Sequence, residues 1–320
     1  MINLDDVNLS VSWKGQRNWP ATSGFANSSH SHWPICSCQQ QMNQERSSSA
    51  TTLSEARRKD LRRIDRALRS VLLLVRSTDM SQIKVHKNHR RDMASGLDTC
   101  INSLIRRTLP RAHEGWLSEE SRDDLTRLDC RRVWVVDPVD GTRELLNGIA
   151  EWCVSIGLVE DTEAVAGGVL NPLTGETYIG SVETGLETIR SNNTAIEPGL
   201  ALLVSRREYG EGTWRSVEMS TVCSRIVPMG SIAYRLARVA AGHAAATCTF
   251  EPRNEWDIAG GVALVRAAGG RVQTVSGDPI RFNNRVPRLD SFFASASHCP
   301  PALPRLLDAT RSLHCRRSRD

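Results

Sequence analysis

The chain has 320 residues, with 41 Lys and Arg against 36 Asp and Glu and a formal net charge of +5. Hydrophobic residues at 40% and charged residues at 24% fit a globular protein of one large or two small domains. No stretch approaches the ~20 apolar residues that span a bilayer; the longest apolar runs, Val71–Val75 and Val133–Val136, read as core. The first thirty residues carry Asp5, Asp6, Lys14 and Arg17 in place of an apolar run, so a secretory leader is not expected and a cytoplasmic location is the default. Nine cysteines without a repeating spacing argue against a disulfide framework. Cys36 and Cys38, near His30 and His32, lack the second ligand pair of a zinc module.

In chain order, residues 1–52 are rich in Ser, Asn and Gln without periodicity and read as a disordered tail. A helix is expected from Ser54, a plausible N-cap, to about Ser77. In RRKDLRRIDRALR, Leu61, Ile64 and Leu68 recur at helical spacing, which sets the arginines on the wet face. A nucleic-acid polymer is not an expected partner, because no aromatic platform or recognisable module accompanies these arginines or those of Arg305–Arg319. A second helix should run from Ala94 to Thr108, with Leu97, Ile101, Leu104 and Ile105 on one face and Pro110 beyond its end. Strands follow at Gly115–Leu117 and Arg131–Val136, then a β-meander from Trp152 to Gly180. The remainder alternates: strand Ala201–Val204, helix Arg207–Met219, strand Ser224–Pro228, helix Ser231–Ala241, strand Ala246–Phe250 and helix Trp256–Ala268. The fold class read from this order is α+β or α/β, a layered sandwich of alternating helices and sheets. Its globular domain should cover 53–315, with an α+β part to about 185 and an α/β part from about 186.

The segment VWVVDPVDGTRELLNG carries most of the chemistry. A buried strand should end at Asp137, where Pro138 turns the chain and withholds a backbone donor. Asp137 and Asp140, with the Val139 carbonyl between them, can converge on one point. Clustered carboxylate and carbonyl oxygens suit a hard divalent cation such as magnesium. Gly141 and Thr142 then offer amides at a helix start, a place for phosphate. The structural alternative is an Asp-Pro turn followed by an Asp N-cap. The spacing of three does not fit the D-x-D of an aspartyl-phosphate nucleophile. Upstream stands Ser118-Glu119-Glu120; downstream, Glu255-Trp256-Asp257-Ile258-Ala259-Gly260-Gly261 opens a helix whose small residues suggest close packing around a fixed carboxylate.

SEE, DPVDGT and EWDIAGG, in this order and at these separations, resemble the signature of the inositol monophosphatase superfamily, over roughly Ser54 to Leu313. The resemblance implies the layered sugar-phosphatase fold and a phosphomonoesterase using two or three Mg2+ and water, with no covalent phosphoenzyme. It implies Glu119, Asp137, the Val139 carbonyl, Asp140 and Asp257 as metal ligands, with Glu120 at most in support. It also implies Thr142 paired with an aspartate to orient water; Asp98 is the candidate, and Lys87, eleven residues earlier, would meet phosphate. The segment around Asp98 lacks the usual D-x-V-T-x-x-D text. Lithium inhibition and a homodimer, common in that superfamily, are further implications.

For substrate, Arg143-Glu144-Leu145 after the GT resembles the bisphosphate nucleotidase branch, in which Arg143 would meet a second phosphate. Glu251 resembles the acid that inositol monophosphatases place on a sugar hydroxyl, at a slightly short spacing from Asp257. The expected partner is thus a small phosphorylated metabolite: a 3'(2'),5'-bisphosphate nucleotide or an inositol phosphate, with histidinol phosphate as a third candidate. From a different class, a non-catalytic regulator keeping the fold is the alternative; clustered carboxylates left unused would repel one another and argue against it.

Overall fold

The computed structural model describes residues 35–80, 90–190, 201–214, 225–300 and 303, with side chains for 52–80 and from 96 onward within those ranges. Lys87, His30, His32 and the Arg305–Arg319 segment lie outside the described residues. The chain divides into two units, Met1–Ser47 and Ser48–Asp320, and every described strand belongs to the second.

Helix α1 runs Ile35–Ser77, beginning well before the expected start at Ser54. The reading of 35–50 as a tail rested on polarity, yet Gln, Met, Glu and Arg in QQQMNQER are good helix formers that extend a helix already nucleated downstream. Cys36 and Cys38 fall within it. The arginines of this helix also depart from the expected wet face: Arg57 is only 2% exposed and Arg63 only 7%. Arg57 pairs with Asp60, Glu160 and Glu183, and Arg63 with Asp60 and Glu114. Periodicity located Leu61, Ile64 and Leu68, all buried, but could not foresee that carboxylates from two strands cover the helix flank.

Helix α2, Arg90–Thr108, follows. Then come β1 (Glu114–Ser118), β2 (Arg132–Asp140), the short α3 (Thr142–Leu146), β3 (Cys153–Glu160), β4 (Glu163–Leu170), β5 (Thr177–Ser181) and β6 (Gly185–Arg190). These six strands form one sheet in sequence order. Only β1 and β2 are parallel; the rest pair antiparallel, β3 to β5 as the expected meander. The second half supplies β7 (Ala201–Ser205), α4 (Arg206–Gly210), β8 (Arg225–Met229), α5 (Ile232–Ala240), β9 (Ala246–Thr249), β10 (Arg253–Asn254), α6 (Glu255–Ala267), β11 (Arg271–Thr274), β12 (Arg288–Leu289) and β13 (Phe292–Ser295). A five-stranded sheet in the order β11-β13-β9-β7-β8 results, while β10 and β12 make a separate ribbon. The helix expected over Arg207–Met219 is one turn, Arg206–Gly210; residues 215–224 lie outside the described set.

The core has three parts that define the layers. Leu61, Ile64, Leu68, Ile101 and Ile105 from α1 and α2 pack on Trp134, Val136, Ile156 and Leu158 of the six-stranded sheet. Its opposite face, with Val133, Val135 and Val159, meets α5 and α6, which in turn bury Leu203, Phe292 and Ala294 of the second sheet. Trp214, Phe293 and Leu303 close the far side. Helix, sheet, helix, sheet is the expected layered α+β sandwich, and its structural neighbours carry the same fold.

Glycine lets the third layer sit tight. A Cβ on Gly260 would fall 2.7 Å from the Ile156 carbonyl and the Ser155 hydroxyl, and one on Gly167 would fall inside contact distance of the Gly260 carbonyl. Helix α6 therefore lies backbone to backbone on β3 and β4.

Candidate active site

Glu119 and Asp137 meet because β1 and β2 are parallel. Ser118 pairs with Val136, so the next residue on each strand leaves the sheet at the same end. The Glu119 amide extends the ladder by donating to the Val136 carbonyl at 3.4 Å. The two carboxyl groups are neighbours at this sheet end, and each bears on the other's affinity for a proton.

Asp140 joins them through a bulge. Asp137 pairs with Ser155 and Asp140 with Cys153, so β2 advances three residues while β3 advances two. Residues 155 and 153 share a face of β3, and their partners must share it too. The extra residue thus turns Asp137 and Asp140, which a regular strand would point apart, to the same side. The expected strand end at Asp137 is corrected here: β2 continues to Asp140, and Pro138 occupies the irregular step where no ladder donor is required.

Asp257 arrives from the first turn of α6, where its Oδ2 accepts the Asn254 amide at 3.2 Å. Asp140 is anchored in the same manner: its Oδ2 accepts from the Ser231 hydroxyl at 2.5 Å and the Ala233 amide at 2.6 Å. Asp137 Oδ1 accepts the Val139 amide at 2.9 Å. Among the described residues, the other oxygen of Asp140 and of Asp257 makes no hydrogen bond, so each carboxylate is fixed by one oxygen and free at the other.

Charge and burial act together on this group. Burial first, then Asp140, Glu119 and Asp257, hold Asp137 well above the usual carboxylate range. Burial, Asp140 and Glu119 push Asp257 up to about 7. Glu119 is raised by burial, Asp140 and Glu120. Burial also raises Asp140, although Ser231 and Ala233 pull the other way. As the side chains stand, no three His, Cys, Asp or Glu among the described residues already converge to grip an ion. Glu119, Asp137, Asp140 and Asp257 are nevertheless near enough to act on one another, Asp140 and Glu119 raising the proton affinity of both Asp137 and Asp257. Such a set of hard oxygen donors, buried and mutually repelling, fits a divalent cation such as Mg2+, whose charge would remove the repulsion.

Asp98 on α2 is 7% exposed, and its Oδ1 is buried with no partner. Burial, then Glu120 and Glu119, lifts it to about 7. It belongs to the same electrostatic cluster, but the expected bond to Thr142 is not formed. Thr142 has one hydroxyl proton, and it goes to the Val139 carbonyl at 3.1 Å. Gly141 caps the short α3 with φ 96°, a left-handed conformation that glycine adopts without strain.

A cavity of about 420 Å3 opens beside Asp140, Gly141 and Thr142, with Arg143, Arg206, Arg207, Arg235 and Arg253 in its walls. Arg235 is 2% exposed. Its Nε donates to the Gly230 carbonyl at 3.2 Å, and its Nη1 to Thr247 Oγ1 and the Cys248 carbonyl at 3.1 and 3.3 Å. All three acceptors are neutral. Burial and the neighbouring Arg253 lower this guanidinium to about 10. Neither Arg235 nor the exposed Arg143 has a carboxylate within ion-pair distance among the described residues. Glu251 is not in the cavity lining; it pairs with Arg207 and, at 3.6 Å, with Arg253.

Sequence reading missed Ser231, Arg206, Arg207, Arg235 and Arg253. The Gly230-Ser231 step before an apolar helix signalled a cap, and Ser205-Arg206-Arg207 directly after a buried strand was available as a signal of a functional edge.

The inositol monophosphatase family model matches residues 46–310. The chain is 33% identical over 204 residues to an inositol-1-monophosphatase, ImpA, of Mycolicibacterium smegmatis, covering 59% of this chain and 72% of that one. It is 30% identical over 219 residues to a 3'-phosphoadenosine 5'-phosphate phosphatase of Mycobacterium bovis, covering 67% and 82%. Among solved structures, CysQ from Bacteroides thetaiotaomicron superposes with a TM-score of 0.55 at 26% identity, over 63% of this chain and 83% of that one. A parallel strand pair, a bulge and a glycine-seated helix thus bring the DPVDGT and EWDIAGG acids together in a chain that belongs to the inositol monophosphatase family.

Proposed function

We propose that the protein is a Mg2+-dependent phosphomonoesterase whose substrate is a small metabolite with a second anionic group, foremost a 3'(2'),5'-bisphosphate nucleotide. The observation that carries this reading is the arginine-walled cavity that shares Asp140, Gly141 and Thr142 with the carboxylate cluster. Arg206 is paired with Glu151, and Arg207 and Arg253 with Glu251. A single phosphate held at the cluster does not account for the remaining two, Arg143 and the buried Arg235, which have no carboxylate within ion-pair distance among the described residues.

Glu119, Asp137, the Val139 carbonyl, Asp140 and Asp257 would hold two or three Mg2+. The bound metal supplies positive charge to the phosphoryl oxygens and to the attacking water. The chain's own groups do the rest. Asp98, buried with one unpartnered oxygen beside the acidic cluster, would take the proton of the attacking water. Val139 O fixes the Thr142 hydroxyl, and the Gly141 and Thr142 amides, in residues that line the cavity, would meet the phosphate. Lys87 and Glu120 are retained as supporting groups, and Arg143 and Arg235 as contacts to the second anion. The site draws its acids from both the 53–185 and the 186–315 parts of the expected domain.

The test is phosphate release with Mg2+ from adenosine 3',5'-bisphosphate, inositol 1-phosphate, fructose 1,6-bisphosphate and histidinol phosphate. The bisphosphate nucleotide should give the highest kcat/KM, and lithium should inhibit. Release from none of these, with Mg2+ bound, would sink the reading in favour of a non-catalytic regulator.

A further inference from the structure

Glu251 lies between two arginines of the cavity wall. Its carboxylate accepts from Arg207 Nη2 and stands 3.6 Å from Arg253 Nη2. Arg207 and Arg253 belong to different elements, the turn after β7 and strand β10, and both line the cavity. Two guanidinium groups side by side repel; the carboxylate behind them removes that cost and leaves their other donors for a ligand.

A second chain of bonds fixes the same wall from beneath. Glu208 is 2% exposed, and its Oε1 is 2.8 Å from Thr249 Oγ1. A carboxylate can only accept, so the Thr249 hydroxyl must donate to it. The threonine oxygen is then left to accept from Arg253 Nη2 and the Glu251 amide, both at 3.3 Å. Glu208, Thr249, Arg253, Glu251 and Arg207 thus form one connected chain of hydrogen bonds and ion pairs.

We propose that Glu251 is a positioning residue that holds Arg207 and Arg253 as a paired receptor for the second phosphate of the substrate, with Glu208 acting on Arg253 through Thr249. This rests on the phosphomonoesterase reading above, and it replaces the expected contact of Glu251 with a sugar hydroxyl. Both arginines meet Glu251 at Oε2, which commits that oxygen to them.

The experiment compares wild type, Glu251→Gln and Glu251→Asp with Mg2+ on adenosine 3',5'-bisphosphate, adenosine 2'-monophosphate and inositol 1-phosphate. Isothermal titration with adenosine 3',5'-bisphosphate in Ca2+ provides a second readout. The kcat/KM ratio of bisphosphate to monophosphate should fall about tenfold in Glu251→Gln, the weight of one charge-assisted contact. KM should carry that fall, titration should show a matching loss of affinity, and Glu251→Asp should restore most of both. A ratio and an affinity that both stay within about twofold of wild type would overturn the proposal. So would a loss confined to inositol 1-phosphate, which would return Glu251 to the sugar hydroxyl. Wild type releasing no phosphate from any of the three would count against the enzymatic reading instead, while the titration would still decide whether Glu251 organises an anion site.

Discussion

The Ser231 hydroxyl donates to Asp140 Oδ2 at 2.5 Å and accepts the Tyr234 amide at 3.0 Å. One side chain thus caps α5 and orients a carboxylate on the first sheet. Removing it in Ser231→Ala should cost about 1 kcal/mol through the lost cap. It should also raise the Mg2+ concentration for half-maximal activity about tenfold, because Asp140 loses its fixed rotamer. Ser231→Thr should restore both. Thermal melts together with Mg2+ titration of phosphate release check the two effects separately.

Asp137→Asn should nearly abolish turnover, since the group lies at the centre of the acidic set. In EDTA the same variant should melt higher than wild type. A neutral side chain removes repulsion that wild type endures without metal, and ~1 kcal/mol corresponds to roughly 2–4 °C in a domain of this size. The upward shift in Tm on adding Mg2+ should shrink in the variant. A lower Tm in EDTA would contradict the electrostatic account.

Glu114 gives a pH dependence of known sign. Burial alone would raise its carboxyl, but hydrogen bonds from Arg63 and Trp134 and the charge of Arg63 outweigh this and bring it down to about 2. A carboxyl depressed on folding stabilises above its unfolded pKa of about 4.3, and that contribution is lost as pH falls toward the folded value. Glu114→Gln should therefore cost on the order of 2 kcal/mol at pH 7, less than a fully buried pair because Arg132, its second partner, is 26% exposed. The difference from wild type should close between about pH 4.5 and pH 2. Urea unfolding midpoints across that range measure it.

Gly260→Ala tests the seating of α6. With Ile156 O and Ser155 Oγ at 2.7 Å from the new carbon, the helix must move off the sheet, at about 1–3 kcal/mol. Asp257 would move with it, so activity should fall more than stability alone explains. Mg2+ binding by calorimetry should weaken in parallel.

The architecture was largely legible from periodicity. The meander, the strands around VWVV and the helices after Ser231 and at EWDIAGG fall where alternation and caps placed them. The four acids could be named because they sit in compact motifs. The arginine wall could not, because Arg206 and Arg207, Arg235, and Arg253 come from three separate elements: the turn after β7, helix α5 and the β10–β12 ribbon. The burial of Arg57 and Arg63 was equally hidden: local pattern shows a polar position, and only tertiary contact shows that Glu114, Glu160 and Glu183 close over it. Pro138 misled for a related reason, since a proline stops a strand unless a bulge takes up the missing donor.

Helix α6 lies between both sheets with Asp257 at its tip, while Glu119, Asp137 and Asp140 hang from the edge of one sheet. An ion shared among them ties separate strata of the molecule into a single cross-brace. Occupancy would then be felt far from the chemistry: hydrogen exchange should slow throughout the helical filling, and loosening of either slab should release the ion.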